Sequence, residues 1–221
     1  DGSLKGYLTP KGTISLNPVS FSKNIYCFME DKEGIIWMGS KQDGLFRLER
    51  TGENRFKIRQ FTHQKDDPYS LSYNSIYTIF QDSKKRIWVG CYGGGLNLIE
   101  ETQEGNIRFL HSGNKLTGYS KDRFAKVRYI TEANQVLLVG TTEGLLTFSS
   151  EFTQPEQIEF YRNIRIPDKV SSLCSNDVIY IYTDSRKDTY VLSFTGGLNK
   201  ILSENCLLYT SPSPRDKRQS R

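Results

Sequence analysis

Alanine is almost missing from this 221-residue chain, standing only at Ala125 and Ala133. Without the best helix former, no long helical stretch is expected. No run of 18 apolar residues occurs, so no segment reads as a membrane-crossing helix. Histidine is confined to His63 and His111, which follow Phe61-Thr62 and Phe109-Leu110 and read as turn residues, not catalytic bases. The four cysteines, Cys27, Cys91, Cys174 and Cys206, share no paired spacing, which indicates neither a zinc site nor a disulfide framework. No metal or cofactor is expected.

Strong charge of one sign is lacking too. The formal net charge is +5, but residues 206–221 hold Arg215, Lys217, Arg218 and Arg221 against Asp216, so the remainder carries only +2. With no basic face and no reading helix, a nucleic-acid partner loses its support. Residues 206–221 also lack strand alternation and read as a disordered, non-native read-through tail to be set aside from fold reasoning.

What is present is repetition. Ile25-Tyr26-Cys27-Phe28-Met29-Glu30-Asp31 returns about 51 residues later as Ile76-Tyr77-Thr78-Ile79-Phe80-Gln81-Asp82. Ile36-Trp37-Met38-Gly39 with Gly44-Leu45 returns as Ile87-Trp88-Val89-Gly90 with Gly95-Leu96. Further copies open at Val127 and Val178, the third shortened in two turns and lacking the Trp and the turn Asp, the fourth carrying Leu192 where Gly39 and Gly90 stand. A period of this length means stacked supersecondary units.

Within a unit, short runs rich in Ile, Val, Tyr, Phe and Trp are separated by Gly, Asp, Lys and Ser clusters, the pattern of strand, turn and strand. In the first unit the strands fall near Ile25–Glu30, Ile35–Ser40, Leu45–Arg50 and Phe56–Thr62. Four antiparallel strands per radially repeated unit make a β-propeller blade. The predicted fold is all-β: a propeller of about four four-stranded blades over residues 1–205, with units starting near 25, 76, 127 and 178. Leu4–Leu16 reads as part of a preceding blade, so the propeller is incomplete and the chain, beginning at Asp1, is expected to be a fragment.

Trp37 and Trp88, with Gly39 and Gly90 close behind, read as blade core, as does Tyr190 at the same position of the fourth unit. Truncating a buried Trp costs roughly 3–5 kcal/mol, which is reason enough for a large aromatic there. Asp31, Asp82 and Asp184 read as turn openers that bond their own backbone, not as metal ligands, since no ligand set repeats. Tyr92-Gly93-Gly94-Gly95 precedes another strand and no helix, so it is not a phosphate cradle.

These motifs resemble the two-component regulator propeller repeats of the periplasmic sensor regions of hybrid two-component systems in Bacteroidetes. The pattern stands here as Asp31/Gly34/Trp37/Gly39/Gly44-Leu45 and as Asp82/Trp88/Gly90/Gly93-Gly94-Gly95-Leu96-Asn97. The connections Asp67 to Asn74 and, more loosely, Val170 to Asp177 are similar to the family's inter-blade linkers. The resemblance implies a sensor region that binds oligosaccharides and relays to polysaccharide-utilisation genes. It further implies a periplasmic location, a homodimeric full-length parent, and contact with the membrane only through downstream segments.

In a blade, the entry to the first strand and the turn between second and third strands share one face of the disc, where ligand contacts concentrate. Lys41, Asn74, Tyr92, Arg123 and Phe194 are the candidate ligand-binding residues. Tyr92 and Phe194 would stack on a ligand or pack against the next blade; Arg123 and Lys126 would engage an acidic sugar or stay solvated. A propeller lyase or glycosidase is the enzymatic alternative, but its candidate acids Asp43, Glu143 and Asp177 come from different blades, and paired carboxylates are what that chemistry needs. No catalytic residue is therefore assigned, and a non-sensing protein-interaction platform is the third reading.

Overall fold

Each apolar run of the repeat forms a strand in the structure, a computed structural model that describes residues 6–18, 21, 23–169 and 171–201. A short hairpin, β1 (Tyr7–Leu8) and β2 (Ile14–Ser15), comes first. The first blade is β3 (Ile25–Glu30), β4 (Ile36–Ser40), β5 (Leu45–Gly52) and β6 (Arg55–Phe61). The second is β7 (Ile76–Gln81), β8 (Ile87–Cys91), β9 (Gly95–Glu101) and β10 (Ile107–Leu110). A four-residue helix, α1 (Lys121–Phe124), leads into the third: β11 (Val127–Ala133), β12 (Val136–Thr141), β13 (Gly144–Ser149) and β14 (Tyr161–Asn163). The fourth shows β15 (Val178–Thr183), β16 (Thr189–Ser193) and β17 (Gly197–Ile201), three strands among the described residues where four were expected. The expected disordered tail, 206–221, lies outside the described residues.

All sheets pair antiparallel between sequence neighbours. The first strands touch from blade to blade, β3 with β7, β7 with β11 and β11 with β15, so they form the inner side of an open β-propeller arc. The β1–β2 hairpin, expected as part of a preceding blade, is a separate two-stranded sheet that bridges to the first blade at Thr13 and Arg55. Its turn is tied to the first blade's outer hairpin, with Phe56 N–H donating to the Gly12 carbonyl at 2.6 Å.

Burial lies between blades. One cluster centres on Trp37, Leu45, Ile76, Ile79 and Phe109, a second on Trp88, Val127, Leu137 and Phe148, a third on Leu138, Val178, Ile181 and Val191. At each junction the motif glycine receives the opening β-branched residue of the next blade. A Cβ on Gly39 would stand 2.5 Å from Ile76 Cγ2, one on Gly90 2.5 Å from Val127 Cγ1, and one on Gly140 2.7 Å from Val178 Cγ1. Ile79, Ile130 and Ile181, at the equivalent place in successive blades, are buried, whereas their counterpart Phe28 on the outer face of the first blade is 79% exposed. On the far face of the fourth blade Leu192 is 38% exposed and Tyr190, expected in the core, is only half-buried, because no further blade covers them among the described residues.

The turn acids act as the sequence suggested and do more. Asp31 Oδ1 accepts from the backbone N–H of Glu33 and Ile35, while Oδ2 accepts from Trp37 Nε1 at 2.8 Å. Asp82 repeats this with Lys84, Arg86 and Trp88, and adds a 2.7 Å bond from Arg86 Nε. The left-handed seat that Gly34 fills at φ 79° is held in the other two turns by Lys85 and Lys187, at φ 66° and 67°. Third-blade shortening leaves a two-residue turn, Asn134 and Gln135, both with positive φ, the geometry of a tight hairpin.

Candidate functional site

One hydrogen bond recurs in all four blades and fixes the loop face. The residue just after the second strand donates its N–H to the residue just before the first: Lys41 to Asn24, Tyr92 to Ser75, Thr142 to Lys126 and Phe194 to Asp177. The two loop sets therefore share a face, as the strand order required. Neighbouring blades are stitched on that face as well, Gly44 donating to the Asn74 carbonyl and both Gly93 and Gly95 to that of Ala125.

A cavity of about 530 Å³ opens there, over the loops of the third blade and reaching Asn176 before the fourth, within the size range of small-molecule sites, about 300–1,000 Å³. Asp122, Arg123 and Phe124 of α1, then Ala125 and Lys126, line one side; Thr142 and Glu143 of the β12–β13 turn, Arg162, Ile164 and Asn176 complete it. Helix α1 is positioned from within: Phe124 is buried in the second inter-blade cluster, and Tyr119 Oη donates to the Phe124 carbonyl at 2.6 Å. Burial pushes the Tyr119 hydroxyl well above its usual range, so it stays a donor.

Among the described residues, the side chains of Asp122, Arg123, Lys126, Glu143 and Arg162 form no ion pair and no hydrogen bond; Glu143 engages Thr141 Oγ1 through its backbone N–H alone. The other acids weighed from sequence are engaged. Asp43 pairs with Lys23 at 2.6 Å, and Asp177 takes a two-pronged bond from Arg128 at 2.7 and 3.1 Å.

Beside the cavity runs a line of side chains produced by a register slip. Every first strand carries an irregularity at its second residue, at Tyr26, Tyr77, Arg128 and Ile179, and such bulges re-aim side chains. Tyr26 meets Tyr77 edge-on at 4.9 Å, and Tyr77 stacks on Tyr92 at 4.5 Å and 20°. Lys126 Nζ and Arg128 Cζ lie 5.5 and 5.6 Å from the centre of the Tyr92 ring. Tyr92 thus holds Tyr77 and two cations. Partial burial and the neighbouring Tyr26 hydroxyl raise the Tyr77 pKa, keeping that phenol neutral.

Of the five residues expected to contact ligand, Arg123 lies in the cavity and Tyr92 adjoins it through Lys126. Asn74 spends its side-chain oxygen on the His63 N–H at 2.7 Å and serves the fold. Lys41 is exposed on the first blade, and Phe194 is 59% exposed on the fourth, neither lining the cavity. The two histidines are turn residues: His63 Nδ1 donates to the Leu71 carbonyl at 2.8 Å, and His111 Nδ1 accepts the Gly113 N–H at 3.1 Å.

Sequence reasoning passed over Arg162, which sits in the third unit after the irregular 150–160 stretch where the repeat gives no register. It also passed over Asn97, whose side-chain oxygen accepts the Ser72 N–H at 3.0 Å while its amide reaches Ser72 Oγ at 2.8 Å. Asn199 clasps Cys174 likewise at 3.1 Å. The signal was there: Gly-Leu-Asn in the second and fourth units, opposite Ser-rich linkers.

The family model described as two component regulator propeller matches residues 20–42 and 70–93. A protein named histidine kinase P4, from Formosa agariphila, is 29% identical over 99 residues, which are 45% of this chain and 7% of that protein. Two crystal structures of an extracellular domain from B. thetaiotaomicron, named in one case as part of a hybrid two component system and in the other of a one component system, superpose with TM-scores of 0.62 and 0.60. They are 20% and 21% identical, each likeness covering 81% of this chain and 23% and 24% of the domain. The chain thus spans about a quarter of those domains, and the likeness bears on the fold.

Proposed function

We propose that this chain, which carries two component regulator propeller repeats, is part of the extracytoplasmic sensor region of a hybrid two-component regulator and that it senses oligosaccharides. The repeat match at residues 20–42 and 70–93 carries the reading. The cavity at the loop end of the third blade supports it, because the blades hold there a loop pocket whose charged side chains form no ion pair among the described residues. Such a sensor works only if ligand binds two arrangements of the parent unequally, since an equal affinity shifts nothing. In this reading the region lies in the periplasm of a homodimeric, membrane-anchored parent, and the output is control of polysaccharide-utilisation genes.

Binding without turnover is favoured over lyase or glycosidase chemistry, because two of the three acids weighed from sequence, Asp43 and Asp177, are tied to Lys23 and Arg128, which leaves Glu143, beside Asp122, as the acid that the product assay must clear. The test is calorimetric titration of the chain with a library of neutral and acidic oligosaccharides, alongside an assay for newly formed reducing ends or unsaturated products. Saturable binding with no product formation is expected. Product formation would replace this reading with the enzymatic one, and an absence of binding across the library would remove the sensing role.

A further inference from the structure

The cavity holds charges of both signs that have no ion-pair partner among the described residues. Arg123, Lys126 and Arg162 face the same space as Asp122 and Glu143, and none of the five is paired among the described residues. Eight ion pairs form among the described residues, Lys115 with Glu156 at 2.5 Å and Lys200 with Asp188 at 2.5 Å among them, and none lies in the cavity. Lys126 is further held in place, its ammonium 5.5 Å from the centre of the Tyr92 ring, whose other neighbour is Tyr77.

A small inorganic anion would meet two carboxylates at this site, and a neutral sugar would leave three cations unanswered. A ligand with both an anionic group and many hydroxyls answers all five. Guanidinium forks take a carboxylate or sulfate through two parallel bonds, the carboxylates of Asp122 and Glu143 accept from hydroxyls, and Thr142 lies in the same wall.

We infer that this cavity selects an acidic saccharide, one bearing carboxylate or sulfate groups, with its anion at Arg123, Lys126 and Arg162 and its hydroxyls at Asp122 and Glu143. This rests on the sensing role proposed above and narrows its ligand class. The selection is electrostatic at an open site, so it weakens as salt rises.

The experiment titrates the 221-residue chain by calorimetry with tetragalacturonate, sulfated cellotetraose and unmodified cellotetraose. Three proteins are compared: the parent chain, the double variant Arg123→Gln/Arg162→Gln, and Lys57→Gln, a change at an exposed site on the first blade. Near-ultraviolet dichroism verifies that each is folded. The expected result is binding of one or both anionic probes at least tenfold tighter than cellotetraose, weakened at least tenfold by the double variant and not by Lys57→Gln. Preference between the two anionic probes tells carboxylate from sulfate. Cellotetraose binding as tight as the anionic probes, or anionic binding undiminished by the double variant, overturns the acidic-saccharide inference and leaves the sensor reading standing. Silence with all three probes and with the wider library overturns both.

Discussion

The indole Nε1–H of Trp88 donates to Oδ2 of Asp82 at 2.9 Å, and one blade earlier Trp37 donates to Oδ2 of Asp31 at 2.8 Å. Turn acid and core aromatic are therefore one device. The carboxylate closes the turn with one oxygen and satisfies the buried indole with the other. Hydrogen bonds to charged groups contribute about 1.5–3 kcal/mol. Asp31→Asn, which can turn an amide donor toward the indole, is expected to destabilise by about that much, and Trp37→Phe to lose both the bond and indole packing. Urea unfolding of the two single variants and the double variant should give a coupling of at least about 1 kcal/mol. Additive effects would mean that the two side chains act independently.

The glycine-to-next-blade contact makes Gly90→Ala costly. The new methyl would fall 2.5 Å from Val127 Cγ1 and from Thr78 Cγ2, and overpacking of this kind costs about 1–3 kcal/mol. Adding Val127→Ala should recover part of the loss, since the two changes share one space. A thermal unfolding series in which the double variant is no better than the sum of the singles would contradict the contact.

Asn97 holds the linker into the second blade. Replacing it with Ala leaves the buried Ser72 N–H without its acceptor, a cost of about 1–3 kcal/mol. Hydrogen exchange should quicken at the Ser72 amide more than at strand β8. Unchanged exchange at Ser72 would show that the bond is dispensable.

Acid should weaken the fold partly through His111. Burial, with Lys121 and His63 nearby, lowers its pKa, and Nδ1 must stay unprotonated to accept the Gly113 N–H. The folded pKa is depressed, so the contribution is complete above the unfolded value of about 6.5 and is lost as pH falls through the folded value. His111→Gln is expected to flatten the decline of the urea midpoint between neutral and mildly acidic pH. An identical slope in the two proteins would assign the decline to other groups.

Blade number, the strand limits of the first blade and the shared loop face are legible because they follow from spacing: a unit of about 51 residues repeats its apolar runs and turns without gaps in the first two copies. The Trp and Asp roles were legible separately, but not their bond, because six residues along the chain says nothing of the distance between an indole nitrogen and a carboxylate across a turn. The cavity was half legible. Arg123 and Glu143 lay in the right loops, yet the pocket is built by α1 and by Arg162, in the stretch where the third unit departs from the repeat. Tyr92 reads from sequence as stacking on a ligand or packing against the next blade, and the structure puts Tyr77 of its own blade and Lys126 and Arg128 of the next against its ring.

Hydrogen exchange of the chain with and without tetragalacturonate at saturation tests the central claim most directly. Protection confined to residues 121–126, 142–143, 162–164 and 176 is the predicted result, with the outer strands of the first two blades unaffected. Protection elsewhere on the propeller, with those loops unchanged, would contradict it.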